Sequence, residues 1–415
     1  MKLNYTKLGI ILIILCMVMG SFTSLSAAEW PMFQGNPRHT GYLSQDSSFS
    51  TQTWTVNLGS PILTSPVICG DKLYVGTENG VLYSLDAQNG NQSWTYETKG
   101  PIESSPAISE DVLYFGSDDG YLYSNNVVDG TNNWKFKAGD SIKSSPAIDS
   151  TKVYVGSDDG SVYAINRNDG SLAWQFKTNE SIRSSPTVSG GVVYVGSDDD
   201  KMYALYADNG SLKWDYTTGD DVRSSASIAQ DKVFFGSNDD QVYALNIENG
   251  TEEWSYNTGA PVISSPSIDE RQSTLYVGTE KGKLYALDIR DGLKKWDVKI
   301  GSAMNGTPSI YGNNIAIGTQ SGEMLTFNKF TGNSVWNYNP AYIPNIGASI
   351  SSSPVTSGGS LFMASLDGNI YSLNTNHQEG PTSIYTYYYI VSIIIIICLG
   401  VGVKKVLERR NNKKE

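Results

Sequence analysis

The chain has 415 residues, a net charge of −12, 41 glycines and 26 tyrosines, and only 17% of its residues are charged. This composition favours strands and turns over helices, and the length suits one large closed β architecture as well as two or three domains. The acidity argues against nucleic-acid partners. With Cys16 and Cys398 inside terminal apolar runs, Cys69 stands alone between them, which excludes an intrachain disulfide or a thiolate zinc site there.

The first element is a secretory signal. Lys2 and Lys7 precede the apolar run Leu8–Met19, and the small residues Ser26 and Ala28 mark cleavage after Ala28. An uncleaved N-terminal anchor is the alternative. Cys16 follows Leu15 rather than Gly or Ala, which disfavours a lipoprotein.

A repeat then organises the chain. Trp54, Trp94, Trp134, Trp174, Trp214 and Trp254 follow one another at 40 residues, Trp296 comes after 42, and Trp336 after another 40. A period near 40 means propeller blades or a helical solenoid. Within residues 141–174 the runs "SPAI", "KVYVGS" and "SVYAIN" alternate aromatic or β-branched residues with small ones, and "LAWQFK" follows. Four short strands per period make a propeller blade. The core recurs eight times. Its eighth copy, ending at "GNIYSLN", lacks a tryptophan strand, whereas "TQTWTVN" around Trp54 precedes the first copy. The two pieces complete one blade. The prediction is an all-β, eight-bladed β-propeller of four-stranded antiparallel blades, its ring closed by the N-terminal strand, which removes exposed edges.

The segment "SLDAQNGNQSW" (Ser84–Trp94), its copies, and the lead-in "WPMFQGNPRHTG" (Trp30–Gly41) resemble the pyrroloquinoline-quinone-like propeller repeat across nearly all of residues 30–374. That family includes quinoprotein dehydrogenases and an eight-bladed outer-membrane assembly lipoprotein. The resemblance implies that Trp94, Trp134, Trp174, Trp214, Trp254, Trp296 and Trp336, with Trp54 in the closing strand, pack between blades as structural residues. Asn126, Asn166 and Tyr206 depart from the motif's usual Asp.

Four features bear on chemistry. The turns read GTENG, GSDDG, GSDDG, GSDDD, GSNDD, GTEKG, GTQSG and ASLDG in blade order. Their last two residues suit a type I′ hairpin with two positive φ angles, and without alternating oxygen ligands they are not a calcium loop. No metal site is expected. The residue before each "SSP" lies at the channel rim, where Lys143, Arg183 and Arg223 form an arc of cations. The arc either captures a carboxylate, phosphate or acidic peptide or pairs with the turn acids. His39 and His377 are the only histidines and read as polar loop residues, which leaves no Ser-His-Asp or His-rich site. In the family's dehydrogenases the axial channel holds the quinone with calcium, a catalytic carboxylate and often a disulfide between adjacent cysteines. This chain has no adjacent cysteines, so no catalytic residue and no cofactor is assigned.

Beyond the repeats, the connection Asn337–Ile350 is six residues longer than its counterparts and is either a partner loop or a spacer. Asn91, Asn179, Asn209, Asn249 and Asn305 stand in glycosylation sequons. Residues 384–403 carry no charge and are long enough to form a transmembrane helix; Tyr385 and Tyr387–Tyr389, at the start of the run, sit where an interfacial aromatic belt would lie, and a basic tail, 404–415, follows. The charge splits into +2 on residues 1–28, +4 on residues 404–415 (six basic, two acidic) and −18 between. The expected organisation is signal 1–28, propeller ectodomain 29–380 outside the cell, a single span at 384–403 and a cytoplasmic tail. The expected function is a non-catalytic scaffold for a protein or envelope polymer. A quinone-dependent dehydrogenase and a purely structural envelope component are the alternatives.

Overall fold

The computed structural model describes residues 32–33, 36, 39, 42–43, 48–339, 349–357 and 359–376. Residues 1–28, expected to be a signal, residues 340–348 of the long connection, His377, the apolar run 384–403 and the basic tail lie outside them. No helix among the described residues is long and apolar enough to cross a membrane.

One repeat shows how sequence becomes a blade. Ala147–Ile148, Lys152–Gly156, Ser161–Asn166 and Leu172–Lys177 pair in that order, each antiparallel to the last. Val153, Tyr154 and Val155, and Val162 to Ile165, are buried on both faces, because each blade is sandwiched between two others. The outermost strand is covered on one face only. There Trp174 and Phe176 turn inward while Leu172, Gln175 and Lys177 face solvent, the period-2 pattern of a half-buried strand. Eight such sheets form the ring. The eighth joins Val355–Ser357, Ser360–Ala364 and Asn369–Asn376 to the N-terminal strand Ser48–Asn57, with Trp54 opposite Ser372 and Asn57 opposite Asn369.

The two ends of the ring differ. On one, the hairpins between second and third strands meet the connections between blades. The Asp158 amide donates to the Ser141 carbonyl at 2.9 Å and the Ile182 amide to that of Ser157 at 3.1 Å, so each connection is tied to the turns on both sides of it. This is the hairpin face. The other end carries the loops between first and second strands and the turns between third and fourth. It is called here the dock face, because the tryptophans dock there.

Two sequence expectations are corrected. The hairpins are not type I′. Only the last residue of each is left-handed: Gly80 (φ 82°), Gly120 (78°), Gly160 (79°), Asp200 (66°), Asp240 (72°), Gly282 (72°), Gly322 (84°) and Gly368 (82°). Gly160 N–H donates to Ser157 O, and Ser157 N–H to Ser161 O, which is a type I turn closed by one left-handed residue. In the hairpins that end at Gly282 and Gly322 the hydroxyl of Thr279 or Thr319 accepts the amide after the turn; in the Gly160 hairpin the brace is Asp159. Its carboxylate accepts from the Ser161 amide at 2.8 Å and holds the penultimate residue right-handed.

The second correction concerns His39. It is not a polar loop residue but is 1% exposed, inside the ring. The described residues of the lead-in lie along the inner wall. Met32 joins the core of the second and third blades. His39 meets Thr187 and Ser227 of the fourth and fifth. Tyr42–Leu43 pair in parallel with Ile310 and Tyr311 of the seventh.

Candidate functional site

The channel wall is built from the "SSP" serines. The second serine of each pair accepts from the backbone of the preceding blade. Bonds of 2.8–3.1 Å run from Thr307 to Ser353, and on through Ser65, Ser105, Ser145, Ser185 and Ser225 to Ser265. The first serine clasps the glycine that ends the second strand: Ser144 Oγ donates to Gly156 O at 2.9 Å and accepts from Gly156 N at 2.8 Å. That glycine is obligatory, since a Cβ there would stand 2.2 Å from Ile182 Cγ2. These hydroxyls form a belt around the axis at roughly 1 kcal/mol per bond. The sequence reading passed over them because serine repeated before proline looks like turn chemistry.

The acidic turns divide their two positions between two tasks. The second carboxylate is a staple. Asp159 Oδ2 accepts from Tyr163 Oη at 2.5 Å and from the Gly139 amide at 3.0 Å, beside the Ser161 bond. Asp119, Asp199 and Asp239 take the corresponding tyrosine and connection donors. Burial raises the Asp159 pKa, but the Tyr163 bond and the amide outweigh it and the net shift is downward; Tyr163 is raised by burial and by the same carboxylate. We predict that Asp159→Ala lowers stability by about 2 kcal/mol, because the part-buried donors Tyr163 Oη and Ser161 N–H, and the exposed Gly139 amide, lose their acceptor. Asp158→Ala is predicted to cost under about 1 kcal/mol. Urea midpoints of the two variants check this; equal shifts would contradict the division of tasks.

The first carboxylate meets the rim cations. Lys143 Nζ lies 3.1 Å from Glu103 and 3.4 Å from Asp118. Arg183 Nε lies 3.3 Å from Asp158 and 3.8 Å from Asp198. Arg223 bonds Asp198 at 3.0 and 3.2 Å and Asp221 at 2.8 Å. Each cation thus reaches back to the turn of the preceding blade. Burial opposes the charge on Lys143, but Glu103 and Asp118 more than offset it and its pKa rises; Asp198 does the same for Arg223. Asp118 is raised, first by burial and then by Glu103. An incoming anion at this arc would have to displace these carboxylates.

Seven of the eight tryptophans share one geometry. Trp54, Trp94, Trp134, Trp174, Trp214, Trp254 and Trp296 each donate the indole N–H to a carbonyl in the next blade, at 2.9–3.1 Å. Each ring lies on the glycine of that blade's last turn; a Cβ on Gly210 would be 2.6 Å from Trp174. Trp336 differs. The eighth blade has no such turn, and among the described residues its indole N–H has no acceptor; the ring stacks on Tyr338 instead.

Of the sequon asparagines, Asn91, Asn179, Asn209 and Asn249 are exposed and Asn305 is half-buried. Asn209 and Asn249 already accept from the amide and hydroxyl of Ser211 and Thr251. Basic residues at two dock turns escaped the sequence reading. Arg167 reaches Ser109, Tyr114 and the Asp149 carbonyl, and Lys329 lies 2.8 Å from buried Asp269. Among the described residues, Asp200, Asp220 and Asp221 bring carboxylate oxygens within 4.8 Å of one another. All three are at least partly exposed, and Asp200 is raised by burial and by its acidic neighbours.

The residues matched to known proteins cover this architecture. Segments 45–175, 128–229 and 221–387 match the family described as outer membrane protein assembly factor BamB. The chain belongs to this family, PQQ_2. No curated protein matches it. Among solved structures, BamB from Moraxella catarrhalis is 17% identical with a TM-score of 0.68, over 78% of this chain and 99% of that one. The computationally designed Ika8 protein is 13% identical with a TM-score of 0.69, over 79% and 100%. The quinohemoprotein alcohol dehydrogenase from Comamonas testosteroni is 16% identical with a TM-score of 0.72, over 84% and 80%. At these identities the likeness is one of fold, so a PQQ_2 propeller need not hold a quinone. The residues here do not fit one. The inner wall presents serines and threonines bonded to backbone, and the lead-in with His39 lies against it. A polyanionic ring system would find its hydrogen-bond donors already committed.

Proposed function

We propose that the protein is a cell-surface scaffold: a PQQ_2 propeller held outside the cell by a single span at 384–403, which binds a protein or envelope polymer and performs no reaction on it. The observation that carries this reading is the commitment of the channel. Its hydroxyls bond blade to blade, and the chain's own lead-in lies on its wall. The name of the family, an assembly factor, agrees with a protein partner. The acidity of the body disfavours nucleic acid.

The rim arc of Lys143, Arg183 and Arg223 is the candidate contact for an acidic partner. Its cations already neutralise Asp118, Asp158 and Asp198, which favours a clasp between blades over a ligand seat. The test is purification of the full chain from cross-linked membranes. One partner retained at constant stoichiometry supports the scaffold, and its retention by the Lys143→Ala, Arg183→Ala, Arg223→Ala triple variant removes the rim from its contact. Dye-linked alcohol or sugar oxidation by the pure chain with added quinone and calcium would overturn the reading.

A further inference from the structure

The dock face has a property that the scaffold reading does not use. Among the described residues, the exposed large apolar side chains gather at that end. Val128 (75% exposed) and Phe330 (50%) sit in turns between third and fourth strands. Leu172 and Leu212 open fourth strands, Leu293 stands just before one, and Val335 is the second residue of another. Tyr206, also exposed, ends a third strand. They come from the second, third, fourth, sixth and seventh blades. They form a sparse ring at one height, not a patch on one side. Singly, exposed apolar residues mean little; a coplanar set around a disc is what a flat apolar boundary would touch.

The chain leaves the propeller at the same end. The strand Asn369–Asn376 starts at the hairpin turn of Asp367 and Gly368 and runs to the dock face. There Asn374 lines a cleft of about 530 Å³ with Gly70, Ala87 and Gln88, and Asn376 pairs with Ser48. Residues 377–383 alone separate it from the apolar run that begins at Ile384. Fully extended, that tether spans less than about 30 Å. A six-residue strand adds roughly 20 Å of blade height, so the hairpin face would have to swing past its own blade to reach the bilayer.

Charge does not decide between the faces. The hairpin face carries the Asp doublets and the Asp200, Asp220, Asp221 group, and the dock-face turns carry exposed Asp129, Asp169, Asp208, Glu248 and Asp291. Anionic headgroups would repel both ends, so the apolar ring and the short tether set the orientation.

We propose that the dock face lies on the lipid surface, with its apolar ring in the headgroup region, and that the hairpin face points outward to partners. This rests on the anchoring of the chain through 384–403. A bilayer fits better than a protein partner because the ring is planar and spread over five blades.

The test uses the full chain, with Cys16, Cys69 and Cys398 replaced by alanine, in phosphatidylcholine–phosphatidylglycerol vesicles. Phe330→Cys and Leu293→Cys on the dock face, and Asp140→Cys and Ser321→Cys on the hairpin face, are labelled with a small fluorophore. Lipid bearing a headgroup nitroxide is the quencher. Flotation after an alkaline wash reports anchoring separately. The expected result is flotation with severalfold stronger quenching at positions 330 and 293 than at 140 and 321. Flotation with equal or reversed quenching overturns the inference and leaves anchoring intact. Failure to float overturns the anchoring reading and the inference with it. Dock-face labels that escape lipid quenching in vesicles, yet are shielded from iodide in native membranes, would make this face a protein interface and also overturn the proposal.

Discussion

Trp174→Ala is expected to cost about 3–5 kcal/mol, as other buried tryptophan truncations do, while Trp336→Ala costs about 1–2 kcal/mol. Trp174 is 8% exposed, donates to the Ala207 carbonyl at 2.9 Å, rests against Gly210 and meets Tyr154 at 5.8 Å between ring centroids. Its removal leaves a cavity in the seam between the third and fourth blades that the rigid turn around Gly210 cannot fill. Trp336 is half-exposed, without an acceptor among the described residues, and stacked on Tyr338. The seam between seventh and eighth blades is held by other means. Tyr338 donates to Gln52 in the closing strand, and Tyr311, Ile350 and Leu361 pack behind it. Denaturant unfolding of both variants checks the contrast. Equal losses would mean that the indoles act through bulk alone and not through the dock.

The tryptophan ruler and the incomplete first and last repeats made the ring legible in the sequence, because each blade solves the same packing problem with the same residues. Ring closure was legible for the same reason: a lone fourth strand at one end and a missing one at the other have to meet. The local meaning of the acids was harder to read. In "GSDDG" the two aspartates look alike, yet Asp158 faces a cation of the next connection and Asp159 faces its own tyrosine. Only the register of turn against connection separates them.

With that register, the repeat itself carries the signal. Where the rim residue is Lys143, Arg183 or Arg223, the turn before it supplies Asp118, Asp158 or Asp198. Where the rim residue is Ile263, the turn supplies Asn238, and where it is Leu63, Leu366. The match is partial, since Glu78 precedes Glu103 and Glu280 precedes Asn305 at the same register, and only the three blades with a rim cation show the pairing. Exposed pairs of this kind contribute about 0–1 kcal/mol each, so they orient neighbouring blades more than they stabilise them. The position of the lead-in was not legible at all. A short Pro- and Gly-containing segment has no periodicity, and His39 becomes a core residue only because eight innermost strands leave an axis to be filled.

Acid should therefore act on this protein through His39 before it acts on the carboxylates. Thr187 Oγ1 gives its hydrogen to the Ala226 carbonyl at 2.7 Å, so toward His39 it can only accept. The imidazole then carries its proton on Nδ1, with Phe33 against the ring at 5.4 Å. Burial lowers the His39 pKa from 6.5 to about 3. The unfolded chain takes up a proton as pH falls below 6.5 and the folded chain does not, so stability is complete above that value and declines toward pH 3. The slope is about 1.4 kcal/mol per pH unit. Asp149, Asp159 and Asp367 are held below their usual range, so their loss comes at lower pH. Asp118, Asp200 and Asp221 are raised and act alike in wild type and a His39 variant. In the window between pH 6 and 4.5 the difference between those two proteins therefore reports the histidine. His39→Asn keeps a donor near Nδ1 and cannot titrate. Wild type should exceed the variant in stability at pH 7, lose that margin through the window and converge with it near pH 4. Urea unfolding of both proteins at half-unit pH steps reads the difference directly. Parallel curves would show that His39 gains its proton without leaving the channel, and that the lead-in is held by Met32 and the pairing of Tyr42–Leu43 alone.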